Sequence, residues 1–247
     1  MNKASRRVAI ITGGAKGIGR AIGLRLAEGG WSVAICYRKS ADEAHQAAEA
    51  MRQKGARVIE GAYDVSDPSA CEAFVARVLS EWGRVDALIN SAGPYVREPL
   101  LETSVASWRE MFKNNLDSVF YMSRLVARPM TEQRFGRIVS FSMANADQMI
   151  GQPQLTAHYI AKVGVLVLTR SLARVLAPHN ITVNAISPGF IASGSAPDEE
   201  LQKMTRNIPA GYVGELQDAV SAVSFLLSDE ARYVNGANIH LSGGWGI

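Results

Sequence analysis

Short β-branched and apolar runs alternate with longer amphipathic stretches along nearly the whole chain. The expected strands are apolar runs of four or five residues: Val8–Thr12, Ser32–Cys36, Arg57–Gly61, Ala87–Asn90, Arg137–Phe141, Thr182–Ile186 and Asn238–Leu241. The stretches between them predict helices near residues 17–28, 41–54, 69–82, 104–133, 155–177 and 215–228. This alternation predicts an α/β fold, a doubly wound parallel sheet with helices on both faces. Ligands of such sheets bind at the carboxyl ends of the strands.

The chain is 247 residues long and contains no linker-like or low-complexity stretch, so we expect a single domain spanning residues 1–247. One segment interrupts the alternation. Between Pro188 and Gly214 the sequence is rich in glycine and proline. A long irregular segment in a compact domain is usually functional, and residues 188–214 are predicted to form a substrate lid.

Composition excludes several classes of function. The net charge of +3 is small and no run of five basic residues occurs, which argues against a nucleic-acid partner. No apolar run approaches the roughly 18 residues that a membrane span needs, so we expect a cytoplasmic protein without a membrane partner. The four histidines and two cysteines never cluster at metal-ligand spacing, and no metal site is predicted.

A glycine-rich turn follows the first predicted strand and leads into a helix. It reads Thr12-Gly13-Gly14-Ala15-Lys16-Gly17-Ile18-Gly19. Glycines allow a sharp turn and let a pyrophosphate approach the helix N-terminus, where free N–H groups favour an anion. In this strand–turn–helix context the turn predicts a Rossmann-type dinucleotide site that uses Gly13, Lys16, Gly17, Ile18 and Gly19.

The end of the second strand indicates which dinucleotide is bound. An NAD site places an acidic residue there for the ribose hydroxyls, whereas an NADP site supplies positive charge. The sequence reads Tyr37-Arg38-Lys39-Ser40 and has no carboxylate before Asp42. Together with Lys16, these residues are suited to hold a 2′-phosphate, so NADP(H) is the expected cofactor.

Further motifs follow in a fixed order: Asn90-Ser91-Ala92-Gly93, Asn115, Lys162 and Pro188-Gly189. In these motifs the whole chain resembles the short-chain dehydrogenase/reductase family, particularly its 3-oxoacyl-carrier-protein-reductase-like and pteridine-reductase-like members. The resemblance implies that three groups of residues contact the cofactor: Asp64 and Val65 at the adenine, Asn90, Ala92, Gly93, Pro188 and Gly189 along the strand ends, and Lys162 and Ser193 at the nicotinamide end. It also implies a homotetramer or homodimer formed through the helices at 104–133 and 155–177.

The catalytic positions depart from the family pattern. The resemblance implies a relay of Asn, Ser, Tyr and Lys, of which Asn115 and Lys162 are present. The Tyr position, four residues before Lys162, holds His158, and the Ser position, six residues after Arg137, holds Met143.

Two interpretations of these positions remain open. Either His158 and Met143 occupy the two positions, or a local distortion brings the neighbouring Tyr159 and Ser142 into place. In the first interpretation His158 could still donate a proton, and a nearby Lys162 ammonium would lower its pKa.

An altered relay favours substrates whose reduction leaves no bare alkoxide. The expected pocket is apolar with aromatic edges and is lined by Tyr95, Met143, Met149, Phe190 and Tyr212. The sequence therefore predicts an NADPH-dependent oxidoreductase that transfers hydride to a C=O, C=N or activated C=C bond of a small, mostly apolar organic substrate. The alternative is a catalytically degenerate relative that binds NADPH as a sensor or scaffold.

Overall fold

The computed structural model describes residues 6–194 and 198–247. Nine strands are present in this part of the chain: β1 Val8–Thr12, β2 Ser32–Tyr37, β3 Val58–Ala62, β4 Ala87–Asn90, β5 Gly136–Phe141, β6 Ile181–Pro188, β7 Ile191–Ala192, β8 Gly214–Glu215 and β9 Asn238–Leu241. Eight α-helices accompany them: α1 Gly17–Glu28, α2 Ala41–Gln53, α3 Pro68–Trp82, α4 Val105–Phe112, α5 Ser118–Gln133, α6 Thr156–Leu176, α7 Asp198–Thr205 and α8 Leu216–Leu227.

Seven strands form one parallel sheet in the order β3-β2-β1-β4-β5-β6-β9. The chain first moves outward from β1 to β3 and then restarts beside β1 with β4, so the strand order reverses between β1 and β4. Dinucleotides bind in the crevice at such a switch point. The fold is the predicted α/β, Rossmann-type doubly wound sheet.

Helices cover both faces of the sheet and bury it in two apolar layers. On one face, Ile22 and Leu26 of α1, Met51 of α2 and Val223 of α8 pack against the strands. On the other face the buried side chains come from α3, α5 and α6 and include Phe74, Val78, Met122, Val126 and Leu176. The five inner strands are buried on both sides, which explains their largely apolar sequences, whereas the edge strands β3 and β9 are only partly buried.

The stretch predicted as one helix over 104–133 is interrupted. Helix α4 ends at Phe112, the π-helical segment Lys113–Asp117 follows, and α5 then begins at Ser118. A π turn inserts one residue into the helix and rotates the side chains on either side of it. The sequence conceals this change because an amphipathic period of 3.6 residues continues through both flanking helices.

The segment 188–214 has some regular structure. Strands β7 and β8 pair in parallel, with Ile191 opposite Gly214, and α7 lies between them in the chain. Positions 195–197 lie outside the described residues. The lid role of 188–214 stays a prediction.

In the described part of the chain, no helix combines the length and apolar character needed to cross a membrane.

Candidate active site

The glycine-rich turn between β1 and α1 is too tight for larger residues. Gly13 and Gly17 have φ angles of +68° and +50°, which L side chains rarely adopt. A Cβ on Gly19 would lie 2.5 Å from the carbonyl oxygen of Gly13. The backbone therefore forms a close-fitting cradle directly before the N-terminus of α1, and this cradle fits a dinucleotide pyrophosphate.

Cationic side chains surround the rim of this cradle. Lys16 is the residue that precedes α1, and its exposed side chain forms an ion pair with Glu43. Arg38 and Lys39 follow Tyr37 at the end of β2, and Ser40 is the N-cap residue of α2. The structure thus brings the residues predicted to hold a 2′-phosphate to the same edge of the sheet. Ile18, which was also predicted to contact the cofactor, packs against the apolar layer beneath α1.

The loop after β3 lies beside this cationic edge. Asp64 accepts a hydrogen bond from the backbone N–H of Ser66 at 3.0 Å, and one of its oxygens lies 3.9 Å from Nη1 of Arg38. Val65 is buried against the core. Asp64 is therefore oriented at the site predicted for the adenine end of the cofactor.

Thr12 fixes the chain after β4 against the glycine turn. Its buried Oγ1 accepts hydrogen bonds from the backbone N–H groups of Ser91 and Ala92, both at 3.1 Å. A Cβ on Gly13 would contact Ala92 at about the same distance, 3.1 Å. Thr12 is not among the predicted site residues; a buried polar residue at the end of a strand is the signal that identifies it.

Asn90 points into the protein. Its side-chain amide donates to Ser123 at 3.3 Å and to Ser140 at 3.1 Å, and the residue is buried. The Asn90 side chain therefore connects β4 to β5 and α5 and stabilises the end of β4 from the protein interior.

Gly93, Asn115 and Lys162 meet at the centre of the site. A Cβ on Gly93 would lie 2.5 Å from Oδ1 of Asn115 and 3.4 Å from Nζ of Lys162. Glycine at position 93 therefore lets two functional side chains approach the strand end. These two side chains are more than 40 residues apart in sequence, and they come from the π-helical segment and from α6.

Asn115 is held by its amide nitrogen, which donates to the backbone carbonyls of Pro94 at 3.2 Å and Met111 at 3.1 Å. Its Oδ1 is buried and has no hydrogen-bond partner among the described residues. The π turn thus presents a fixed acceptor beside Gly93.

Lys162 is buried and donates a hydrogen bond from Nζ to the carbonyl of Phe141 at 2.9 Å. Burial lowers the pKa of this ammonium to about 8, because removal from water disfavours the charged form. Lys162 therefore exchanges its proton much closer to neutral pH than an exposed lysine does.

His158 lies one helical turn before Lys162 and is 5% exposed. Its pKa is lowered to about 3, mainly by burial and secondly by the charge of Lys162, although contact with the Pro94 carbonyl opposes the shift. Tyr95 covers the imidazole edge-on, with ring centroids 5.3 Å apart. His158 is therefore a neutral imidazole at pH 7, and its Nδ1 has no partner within the described residues.

Tyr159 and Ser142 have other partners. The Tyr159 hydroxyl donates to the carbonyl of Asn145 at 2.8 Å and accepts from the N–H of Ile150 at 3.0 Å. The Ser142 hydroxyl donates to the backbone carbonyl of Lys162 at 2.8 Å. Both hydroxyls thus stabilise the loop after β5 and its contact with α6.

Met143 occupies the family's serine position and packs, partly buried, against Ala146, Leu166 and Ala185. Among the other residues predicted to contact substrate, Phe190 stacks edge-on with Trp245 at 4.7 Å between centroids. Tyr95, Met149 and Tyr212 are all more than half exposed. The structure thus places Tyr95 against His158 and leaves Met149 and Tyr212 open to solvent.

Segment 188–194 contacts the loop after β5, the end of β9 and the glycine-rich turn. The carbonyl of Pro188 accepts from the N–H of Ala144, and the N–H of Gly189 donates to Leu241. The carbonyl oxygen of Ser193 lies 3.4 Å from where a Cβ on Gly17 would be. Ser193 therefore covers the glycine turn from the side of the predicted lid.

Together, the reversed strand order, the glycine cradle and the Asn–Lys centre define a dinucleotide-binding oxidoreductase of the Rossmann type. Comparison with known proteins agrees with this class. A sequence model for the family described as "Enoyl-(Acyl carrier protein) reductase" matches residues 13–246.

Individual relatives cover almost the whole chain. The 3-oxoacyl-[acyl-carrier-protein] reductase of Staphylococcus aureus is 36% identical over 239 residues, which are 96% of each chain. Its Escherichia coli counterpart is 34% identical over 241 residues, again 96% of each chain. Among solved structures, acetoin dehydrogenase YohF from Salmonella typhimurium is 30% identical with a TM-score of 0.89, covering 97% of this chain and 96% of its own.

The chain belongs to the short-chain dehydrogenase/reductase family and is 3-oxoacyl-carrier-protein-reductase-like within it. It is therefore an oxidoreductase, and members of this family use nicotinamide cofactors.

Proposed function

We propose that this protein is an NADPH-dependent reductase that transfers hydride to a C=O, C=N or activated C=C bond of a small, mostly apolar organic substrate. The observation that carries this proposal is the meeting of Gly93, Asn115 and Lys162 beside a glycine cradle that fits a dinucleotide. When bound, the cofactor supplies the hydride. The protein must supply binding, orientation and a proton source.

The proposed binding residues follow the strand ends. The Gly13–Gly19 turn holds the pyrophosphate, while Lys16, Arg38, Lys39 and Ser40 recognise the 2′-phosphate. Asp64 serves the adenine end, and Lys162 and Ser193 serve the nicotinamide end. Arg38 supports the choice of NADP(H) because its guanidinium is exposed, and the Asp64 carboxylate is no closer to its Nη1 than 3.9 Å.

The hydrogen-bond donors around the reaction centre support a narrower substrate range. Hydride addition to a ketone creates an alkoxide, which needs a donor within hydrogen-bonding distance. Ser142 and Tyr159 donate to backbone carbonyls, Met143 has no donor, and the pKa of His158 is too low for an imidazolium acid at neutral pH. Among the described residues of this centre, the remaining charged donor is the Lys162 ammonium, which donates to the Phe141 carbonyl and which we assign to the nicotinamide end of the cofactor. We therefore propose that the preferred substrates are protonated imines or enones. Hydride addition neutralises the positive charge of the first and gives a neutral amine, whereas the second gives a delocalised enolate that Lys162 or water can protonate.

The test is NADPH consumption by the wild-type protein and by His158→Ala with ketones, enones and cyclic imines. We expect the wild-type protein to turn over imines or enones, and His158→Ala to turn them over at nearly the same rate. Ketones should be reduced more slowly than imines or enones by a factor on the order of 100, which is the usual contribution of a positioned acid. Ketone turnover that depends on His158 would reverse the assignment of substrate class. A protein that binds NADPH and consumes none of it with any acceptor would contradict the proposed function.

Two further variants separate the two interpretations of the relay. In Met143→Ser/His158→Tyr, both family hydroxyls return, and we expect ketone reduction to increase by about 100-fold while imine reduction changes little. Tyr159→Phe is the matched control, because its hydroxyl bonds to Asn145 and Ile150. If Tyr159→Phe instead abolished turnover with stability unchanged, Tyr159 would be the proton donor.

A further inference from the structure

Arg38 is held by a neutral side chain. Its Nη1 donates to Oδ1 of Asn114 at 3.2 Å, and the side chain is 47% exposed. Asn114 itself is buried in the π-helical segment, next to Asn115. Asn114 is not among the predicted site residues, because an amide inside a helix has no characteristic sequence pattern.

The orientation of the Asn114 amide is fixed by its other partners. Its Nδ2 donates to the backbone carbonyl of Glu110 at 2.8 Å and to the Glu110 carboxylate at 2.9 Å. Both partners are acceptors, so the amide nitrogen must face Glu110 and the amide oxygen must face Arg38. The backbone carbonyl of Asn114 also accepts from the Ser118 hydroxyl at 2.8 Å, which holds the residue in the helix.

A neutral acceptor has a different effect from a carboxylate at this position. It fixes the direction of the guanidinium without adding a second carboxylate to that of Asp64, which lies 3.9 Å from the same Nη1. A guanidinium has five N–H donors, and most of them remain able to bind phosphate oxygens. A carboxylate at position 114 would still accept from Arg38, but it would lose the hydrogen bonds to Glu110 and would compete with the phosphate for the charge of Arg38.

We propose that Asn114 is a positioning residue that directs Arg38 toward the 2′-phosphate of NADP(H) and thereby sets the preference for this cofactor over NAD(H). The proposal rests on the NADPH dependence proposed above. The hydrogen bonds of Asn114 connect Glu110 in α4, through the π turn, to Arg38 at the end of β2. Only the folded chain brings these elements together.

Equilibrium titrations with NADP⁺ and NAD⁺, followed by fluorescence, test the proposal without any substrate. We expect Arg38→Ala to weaken NADP⁺ binding by about 10- to 100-fold, with NAD⁺ binding changed by less than about threefold. Asn114→Leu should weaken NADP⁺ binding by about fivefold and leave NAD⁺ binding unchanged, because Arg38 loses one hydrogen bond. Asn114→Asp should weaken NADP⁺ binding more than Asn114→Leu does.

The exposed Lys113 provides the matched control, because it is a cation in the same segment. Lys113→Ala should change neither titration. Should Asn114→Leu fail to fold, Asn114→Ser makes the same test, since its shorter side chain does not reach Arg38.

The outcomes distinguish this proposal from the one on which it rests. Unchanged or tighter NADP⁺ binding by Asn114→Leu, or an equal loss of both dinucleotides, overturns the role of Asn114. If Arg38→Ala itself leaves the NADP⁺ preference unchanged, the proposed cofactor is wrong.

Discussion

Two nitrogen bases, His158 and Lys162, lie one turn apart in α6, and burial lowers the pKa of both. The effect of Lys162 on His158 has the direction expected from the sequence, but desolvation is the larger cause. A sequence gives the spacing of two residues along a helix, whereas desolvation depends on Tyr95 and other residues that only the fold brings near. The protonation state of His158 therefore had to come from the structure.

The lowered pKa of His158 predicts acid sensitivity. The unfolded chain binds a proton at this histidine below pH 6.5, whereas the folded chain does not until about pH 3, so stability falls as the pH falls through this range. Between pH 7.5 and 5.0 we expect the wild type to lose about 2 kcal/mol more unfolding free energy than His158→Gln. Urea unfolding at both pH values measures the difference. Equal losses in the two proteins would mean that His158 titrates normally.

At the scale of elements, the turn between β1 and α1 combines local sequence and long-range packing. Its glycines and the following helix were predicted from sequence, and the positive φ angles of Gly13 and Gly17 agree with that prediction. The contacts of the turn with Ala92 and Ser193 could not be predicted, because they come from distant strand ends.

Gly19→Ala tests how tightly the turn is packed. The added methyl would meet the Gly13 carbonyl at 2.5 Å, and backbone cannot move aside as a flexible side chain can. We expect a loss of about 1–3 kcal/mol in stability together with weaker dinucleotide binding. The matched control is Gly151→Ala, where a Cβ would have nothing within 4 Å. Equal effects of the two substitutions would contradict the close packing that we describe.

The elements also differ in how far sequence could predict them. The sequence predicts the seven strands of the main sheet within two residues of their observed ends, because the five inner strands are largely apolar runs and the edge strands β3 and β9 keep apolar or β-branched residues between polar ones. The two-residue strands β7 and β8 were missed, since so short a pairing leaves no periodic pattern. The π turn was missed for a related reason: one inserted residue presents Asn114 toward Arg38 and Asn115 toward Gly93, yet leaves the amphipathic pattern unbroken.

At the scale of the whole molecule, several apolar side chains remain exposed on α5 and α6. Phe120 is 44% exposed, and Ile160 and Val167, seven residues apart and so on one face of α6, are 42% and 58% exposed. We propose that these helices pair between copies of the chain to give a homodimer or homotetramer.

Val167→Glu tests this assembly. A buried, unpaired charge at an interface is costly, so we expect the variant to shift toward monomer while its fold is retained. Light scattering measures the mass. Leu101→Glu is the control, because Leu101 is 99% exposed and lies outside both helices. A wild-type protein that is monomeric at all concentrations would exclude the proposed pairing.

The contact between Ser193 and Gly17 has a kinetic consequence. The carbonyl of Ser193, in the chain that leads into the predicted lid, lies beside Gly17 in the turn where the pyrophosphate is expected to bind. A dinucleotide must therefore bind before this segment closes over the turn. A substrate held by the same segment must dissociate before the dinucleotide can. We accordingly expect an ordered sequential mechanism, in which the dinucleotide is the first ligand to bind and the last to dissociate.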